Sequence, residues 1–273
     1  MIMGSEGRQE QTLKTDQDNA IVYQDPPPAA ADSIERYFRK YGEIACTLLN
    51  QAGYDFCKGG IMAKNPKWCQ SLSQWKGYFS DWIHAAEAED LLQASIFFDF
   101  RRGFGEASLI AELRRHLFAS LDGWSGFFRH LTENALNFKP PLGFFRNFVV
   151  ESKGRHRDAF DIKSAMTPIV DFARVYALKN RIDETNTLER LDQLRIKQVI
   201  SPQEYEELEK AYSFLMQLRF VRQITAVMDD QKKPDNYITP KKLTHIEQTM
   251  LKEIFKRLEK FQSKMNFEFI GIA

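Results

Sequence analysis

The chain has 273 residues, enough for one large domain or two modest ones, and its 43% apolar, 13% aromatic and 27% charged residues are those of a folded globule rather than a disordered chain. A formal net charge of +1 without a long run of one sign gives no electrostatic basis for binding nucleic acid or an anionic membrane, and no apolar stretch approaches the ~20 residues that span a bilayer. Three cysteines (Cys46, Cys57 and Cys69) are too few for a disulfide framework and lack the paired spacing of a zinc site, so they read as reduced thiols. With no signal-peptide pattern at the N-terminus, the expected location is the cytoplasm.

Met1-Ile2-Met3 reads as the end of a strand that runs into a Gly4-Ser5 turn. A strand this short cannot stand alone, so the chain is expected to continue a longer polypeptide. Asn19 to Tyr23 is a second short β-type run, closed by Pro26 to Pro28. From Asp32 or Ser33 to Ala52, apolar residues from Ile34 to Leu49 recur at three- and four-residue steps and predict a helix. Tyr54 to Pro66 is a loop broken at Gly59-Gly60, and a second helix is predicted over Lys67 to His84, with Trp68, Trp75, Phe79 and Trp82 as core. Ala94 to Phe100, ASIFFDF, reads as a strand covered on both faces. A helix follows over Glu106 to Ser120.

After Gly123 the pattern changes. One hairpin is predicted inside Leu142 to Ile162, around KGRHR. The remainder is helical: Lys163 to Asn180, Thr187 to Val199, Pro202 to Met228 and Pro240 to Lys264. Ser201-Pro202-Gln203-Glu204 has the form of a capping box with proline at the first helical position, and Thr239-Pro240 repeats the cap-then-proline pattern. The expected architecture is α+β: a mixed domain over residues 1–123, then a mainly helical domain over 124–273.

The chemistry concentrates in GSEGRQEQTLKTDQDNA, Gly4 to Ala20. In a strand, residues i and i+2 share a face, so Asp16 and Asp18 set two carboxylates side by side. Like charges this close repel unless a cation lies between them, and hard oxygen ligands suit Mg²⁺. The competing reading is an exposed Asx-rich turn that needs no metal. A calcium EF-hand loop is excluded, because its invariant glycine would fall on Ile21. Ahead of the aspartates, Gly4-Ser5 offers backbone N–H groups to a phosphate, Gly7 allows close approach, and Arg8 supplies a permanent charge.

Gly-Ser, ten residues, then Asp-x-Asp resembles the motif of the DNA polymerase β-like nucleotidyltransferase superfamily. More closely, GSEGRQEQTLKTDQDNAIVY, GGIMAKNPKWCQSLSQWKGYF, SIFFDFR, PPLGFFRNF, DIKSAMTPIVDFARVYAL and DNYITPKKLTHIEQ resemble the bacterial nucleotidyltransferases that accompany CBS and cyclic-nucleotide-binding modules, a family similar to the uridylyltransferase of the PII signalling protein. The likeness spans nearly the whole chain and implies a polymerase β-like fold, with a small mixed sheet and flanking helices before the helical domain.

The resemblance implies the rest of the site. The superfamily uses a third carboxylate on a neighbouring strand, and Asp99 fits that place; as a core residue it would instead pair with Arg101 along the same strand face. Asp16, Asp18 and Asp99 are thus the expected ligands of two Mg²⁺ (or Mn²⁺) ions, while Gly4, Ser5 and Arg8 hold the β- and γ-phosphates of a nucleoside triphosphate. An acceptor hydroxyl attacks the α-phosphorus and pyrophosphate leaves, with Asp99 helping to deprotonate the hydroxyl. Glu10 and Gln11 orient the loop or the metal waters, or belong to the loop's structure; Lys64 and Asn65 shape a nucleotide pocket or a helix-capping turn; and Lys163 reaches a phosphate or, the better reading, is solvated. The expected partners are the nucleotide, a protein acceptor, and CBS or cyclic-nucleotide modules elsewhere in a longer chain, with no membrane or nucleic acid. Two alternatives stand beside this enzyme: a nucleotide-sensing module without turnover, and a transferase acting on small molecules. No His-Asp dipeptide is present, so the hydrolase part of the PII enzyme has no counterpart.

Overall fold

The computed structural model describes residues 1–84 and 95–271. The chain divides into two compact units, Met1–Gln11 with Thr15–Phe127, and Thr12–Lys14 with Phe128–Ala273. The architecture is α+β with a helical C-terminal part, as the periodicities predict.

In the first unit the chain begins at the middle of a minimal sheet. Ile2 bridges Asn19 on one side and Arg101 on the other, both antiparallel. A four-residue helical turn α1 (Gly4–Gly7) follows, then β1 (Asp16–Gln17) and β2 (Ile21–Tyr23). The long helix α2 (Ala31–Gln51) leads to β3 (Asp55–Phe56), which pairs in parallel with β1. A short 3-10 turn at Pro66–Trp68 and β4 (Cys69–Ser71), parallel to β2, precede α3 (Leu72–His84) and α4 (Ala107–Ser120). The strands of this unit are only two or three residues long.

Three expectations change here. The strand predicted for Ala94–Phe100 is a 3-10 turn over Ser95–Phe98, with Ala94 outside the described residues and a bridge only at Arg101. A continuous aromatic run is apolar in any conformation, so it marks burial without fixing a period. Phe97, Phe98 and Phe100 are indeed buried, against Trp68, Trp75 and Phe79. The helix predicted from Lys67 starts at Leu72, because Cys69–Ser71 is taken up as a strand. The face of α2 that carries Tyr37, Tyr41, Ile44 and Leu48 stays exposed, and the buried residues of that helix are Gly42 and Cys46.

In the second unit, Phe160–Asp161 (β5) does not close a hairpin on the preceding segment. It pairs antiparallel with Tyr237–Ile238 (β6), burying Phe160 opposite Ile238. Around KGRHR only turn contacts form, from the Glu151 N–H to the Ala159 carbonyl and from the Asp158 N–H to the Glu151 carbonyl. Helix α5 (Ser125–Ala135) spans the division between the units in sequence.

Helices α6 (Ile162–Lys179), α7 (Thr187–Ile196), α8 (Pro202–Met228) and α9 (His245–Met265) build the rest around Phe172, Leu191, Leu215, Leu251 and Phe255. The capping box at Ser201 and Glu204 forms as predicted. The last helix begins later than Thr239-Pro240 suggests. Pro240–Lys242 is a 3-10 turn, and a second capping box, Thr244 with Glu247, starts the α-helix. Among the described residues no helix is long and apolar enough to cross a membrane.

The Ser201 hydroxyl accepts the Glu204 N–H at 3.1 Å and the Glu204 carboxylate accepts the Ser201 N–H at 2.8 Å. Ser201→Ala removes one half of this pair. Urea unfolding is expected to show a loss of about 1 kcal/mol, with the slope unchanged.

Candidate active site

β1 and the residues just after it alternate with a period of two. Gln17 and Asn19 point inward, only 3% and 9% exposed, while Asp16 and Asp18 lie half-buried on the other side. The inward amides are hydrogen-bonded to the loops beneath. Gln17 Nε2 donates to the carbonyls of Cys46 (3.0 Å) and Tyr54 (3.1 Å), and Asn19 Oδ1 accepts the Ala63 N–H (2.9 Å) and the Cys46 thiol (3.4 Å). From the other direction Gln11 Nε2 donates to the Asp16 carbonyl at 3.0 Å. The two carboxylates are therefore carried on a strand clamped on both sides.

The ligand atoms that converge are those of Asp16, Asp18 and Cys57, all within 4.8 Å of one another. Cys57 reaches the pair through register: β1 and β3 run parallel with Asp16 opposite Asp55 and Gln17 opposite Phe56, so the next step sets Cys57 beside Asp18. Burial and the hydrogen bond to Asp18 raise the Cys57 pKa. Sequence reasoning missed this residue, because only the β1–β3 pairing brings position 57 to position 18. The glycine pair at Gly59-Gly60, which turns the chain back after Cys57, was the available signal.

Gly4 has φ +60, a left-handed conformation that suits glycine, and a Cβ there would lie 3.0 Å from Asp18 Oδ2. Without a side chain, the buried Gly4 backbone packs closely against Asp18 and Ile96. The hydrogen bonds of the α1 turn begin with the Gly7 N–H to the Met3 carbonyl, so the N–H groups of Gly4 and Ser5 lie outside that pattern. Gly7 is demanded by contact, since a Cβ would stand 1.8 Å from the Asp99 carbonyl oxygen.

Arg8 and Asp99 lie together as an ion pair. Asp99 is fully buried and its Oδ2 accepts Arg8 Nη1 at 2.6 Å, while Arg8 Nε donates to Glu10 at 2.7 Å. Burial alone would lower the Arg8 pKa, but the two carboxylates raise it above the ordinary arginine value. Arg101, the alternative partner weighed for Asp99, pairs with Glu6 at 2.5 Å. A carboxylate wholly withdrawn from water requires a permanent cation, and Arg8 supplies it across 91 residues of sequence.

The remaining candidates have structural partners. Lys64 Nζ stands 3.5 Å over the Phe56 ring. Asn65 accepts the Lys67 N–H and caps the turn at Pro66, and Lys163 is exposed at the start of α6 in the second unit. Trp75 and Phe79 are core, as their helical spacing predicts; Trp68 is buried too but lies in the 3-10 turn before the helix, and Trp82 is half-buried.

Residues 125–269 match the family described as "Putative nucleotidyltransferase substrate binding domain", and residues 1–89 match "Putative nucleotidyltransferase DUF294". The chain belongs to this nucleotidyltransferase family. Among curated proteins no match is found. In this nucleotidyltransferase, Gly4, Ser5, Arg8, Asp16 and Asp18 fall within the first family segment, residues 1–89, and Asp99 lies outside it but in the same unit. The donor set of two carboxylates fits a divalent cation.

Arg8→Met takes the guanidinium from a fully buried carboxylate. The first unit is expected to lose about 3–5 kcal/mol in urea unfolding, and adding Asp99→Leu should restore part of that loss.

Proposed function

We propose that this nucleotidyltransferase moves a nucleoside monophosphate from a nucleoside triphosphate to a hydroxyl acceptor on a protein, in the manner of the PII uridylyltransferase that its motifs resemble, as part of a signalling system. The observation that carries the reading is the convergence of Asp16 and Asp18 against the Gly4 backbone, in a chain of this family.

Asp16 and Asp18 would hold the divalent ion, Mg²⁺ or Mn²⁺, which when bound supplies positive charge for the triphosphate and the departing pyrophosphate. Gly4 and Ser5 direct backbone N–H groups to the β- and γ-phosphates. The acceptor hydroxyl oxygen attacks the α-phosphorus in line, a new P–O bond forms, the bond to the bridging oxygen breaks as pyrophosphate leaves, and the hydroxyl proton passes to solvent. Most of the rate enhancement in such a site comes from positioning and charge complementarity. Arg8 and Asp99 act here as positioning residues: their ion pair, with Gly7 packed on the Asp99 carbonyl, fixes the α1 turn from which Gly4 and Ser5 project. Acceptor recognition belongs, in this reading, to the second unit, which carries the segment described as substrate binding.

The test offers each α-phosphate-labelled nucleoside triphosphate, with Mg²⁺ or Mn²⁺, to the purified protein and a cell extract. Label is expected on a protein band with release of pyrophosphate, and Asp16→Asn should reduce transfer by about 10²–10³-fold without changing the thermal unfolding of the protein. Label on a small molecule instead would move the acceptor class. Nucleotide binding with neither transfer nor pyrophosphate release would leave a sensing module and overturn the enzymatic reading.

A further inference from the structure

Cys57 is the one cysteine of three that is not sealed in the core: Cys46 and Cys69 are 0% exposed, while Cys57 is half-buried at the edge of the Cys46–Met62–Ala63 cluster. It sits one step past the β1–β3 pairing, on the strand face of Asp16 and Asp18 rather than that of Gln17 and Asn19. The turn that follows is closed by the Gly60 N–H to the Cys57 carbonyl at 3.1 Å, and Asn65 Nδ2 holds the Gly60 carbonyl at 3.1 Å. The thiol is thus held in place by backbone on both sides.

Donor atoms about 2.0–2.3 Å from one ion can stand at most about 4.6 Å apart. The ligand atoms of Asp16, Asp18 and Cys57 lie within 4.8 Å of one another, so small side-chain rotations suffice to bring all three onto a single cation. Two carboxylate oxygens alone are a hard donor set that suits Mg²⁺. A thiolate sulfur added to them shifts the preference toward borderline-soft ions such as Zn²⁺ and Co²⁺, which take mixed S and O ligands.

We propose that the Cys57 sulfur is a third protein ligand of the Asp16–Asp18 cation site and adds affinity for thiophilic divalent ions of the Zn²⁺ and Co²⁺ class to a site whose two carboxylates hold Mg²⁺ or Mn²⁺. The proposal rests on the reading of Asp16 and Asp18 as metal ligands, and its test separates the two.

Co²⁺ is titrated into the purified protein while the near-ultraviolet thiolate-to-cobalt charge-transfer band is recorded. Alkylation of Cys57 by iodoacetamide is followed in parallel by peptide mass mapping. One equivalent of Co²⁺ should raise the band and slow Cys57 alkylation about tenfold or more, as sulfur bound to the ion is no longer a free nucleophile. Cys57→Ser and Cys57→Ala should both abolish the band and weaken Co²⁺ and Zn²⁺ binding about 10–100-fold, with Mn²⁺ binding by calorimetry changed about twofold or less. Asp16→Asn should weaken binding of all three ions. If Co²⁺ binds in an Asp16-dependent way but without the band, and with equal affinity in the Cys57 variants, Cys57 is a packing residue and only this proposal falls. If neither Co²⁺ nor Mn²⁺ binds the folded wild-type protein, the two-aspartate site falls with it.

Discussion

The first unit depends on one alternation, Asp16-Gln17-Asp18-Asn19, in which two amides face the core and two carboxylates face away from it. Buried amides are stable only with their hydrogen bonds made. Gln17 and Asn19 make theirs to backbone and side-chain groups of Cys46, Tyr54 and Ala63, at distances of 2.9–3.4 Å. These bonds tie β1 to the end of α2 and to the loops on either side of Cys57. A slip of one residue would bury the aspartates and expose the amides, so the register that anchors the loops is the same one that presents the carboxylates.

A second constraint holds the α1 turn over this strand. Ile2 is bridged on both sides, and Gly7 lies against the Asp99 carbonyl with no space for a methyl group. Arg8 leaves that turn to meet the buried Asp99, with Glu10 on its other edge. The ion pair that neutralises a fully buried carboxylate leaves from the end of the turn that carries Gly4 and Ser5, so the two share one anchor. Ordinary surface pairs elsewhere, such as Lys210 with Glu206, carry no comparable consequence.

Much of the helical half was legible because its signals are local. Ser201 and Glu204 lie three residues apart, Pro202 follows the cap, and the helix begins there. Local chemistry also misplaced one start: Thr239-Pro240 opens a 3-10 turn, and the Thr244–Glu247 pair outcompetes it by satisfying two backbone N–H groups reciprocally. The aromatic run Ile96 to Phe100 revealed burial but not conformation, since uniform apolarity has no period to read. Phe160–Asp161 found its strand partner 76 residues away in Tyr237–Ile238, a choice made by burial of Phe160 against Ile238 and invisible to spacing.

By itself the sequence determined the α+β character, the capped helices of the second half, and the paired carboxylates behind a Gly-Ser turn. Each of these rests on residues close enough in the chain to interact through fixed backbone geometry. Only the tertiary structure decided what stands beside those carboxylates. Asp99 and Cys57 were both within reach in sequence terms, as an acidic residue in an apolar run and a cysteine before two glycines. Burial without water bound Asp99 to Arg8, and the parallel pairing of β1 with β3 brought Cys57 to Asp18. Long-range desolvation and strand register made those assignments, and neither is written in any single stretch of the chain.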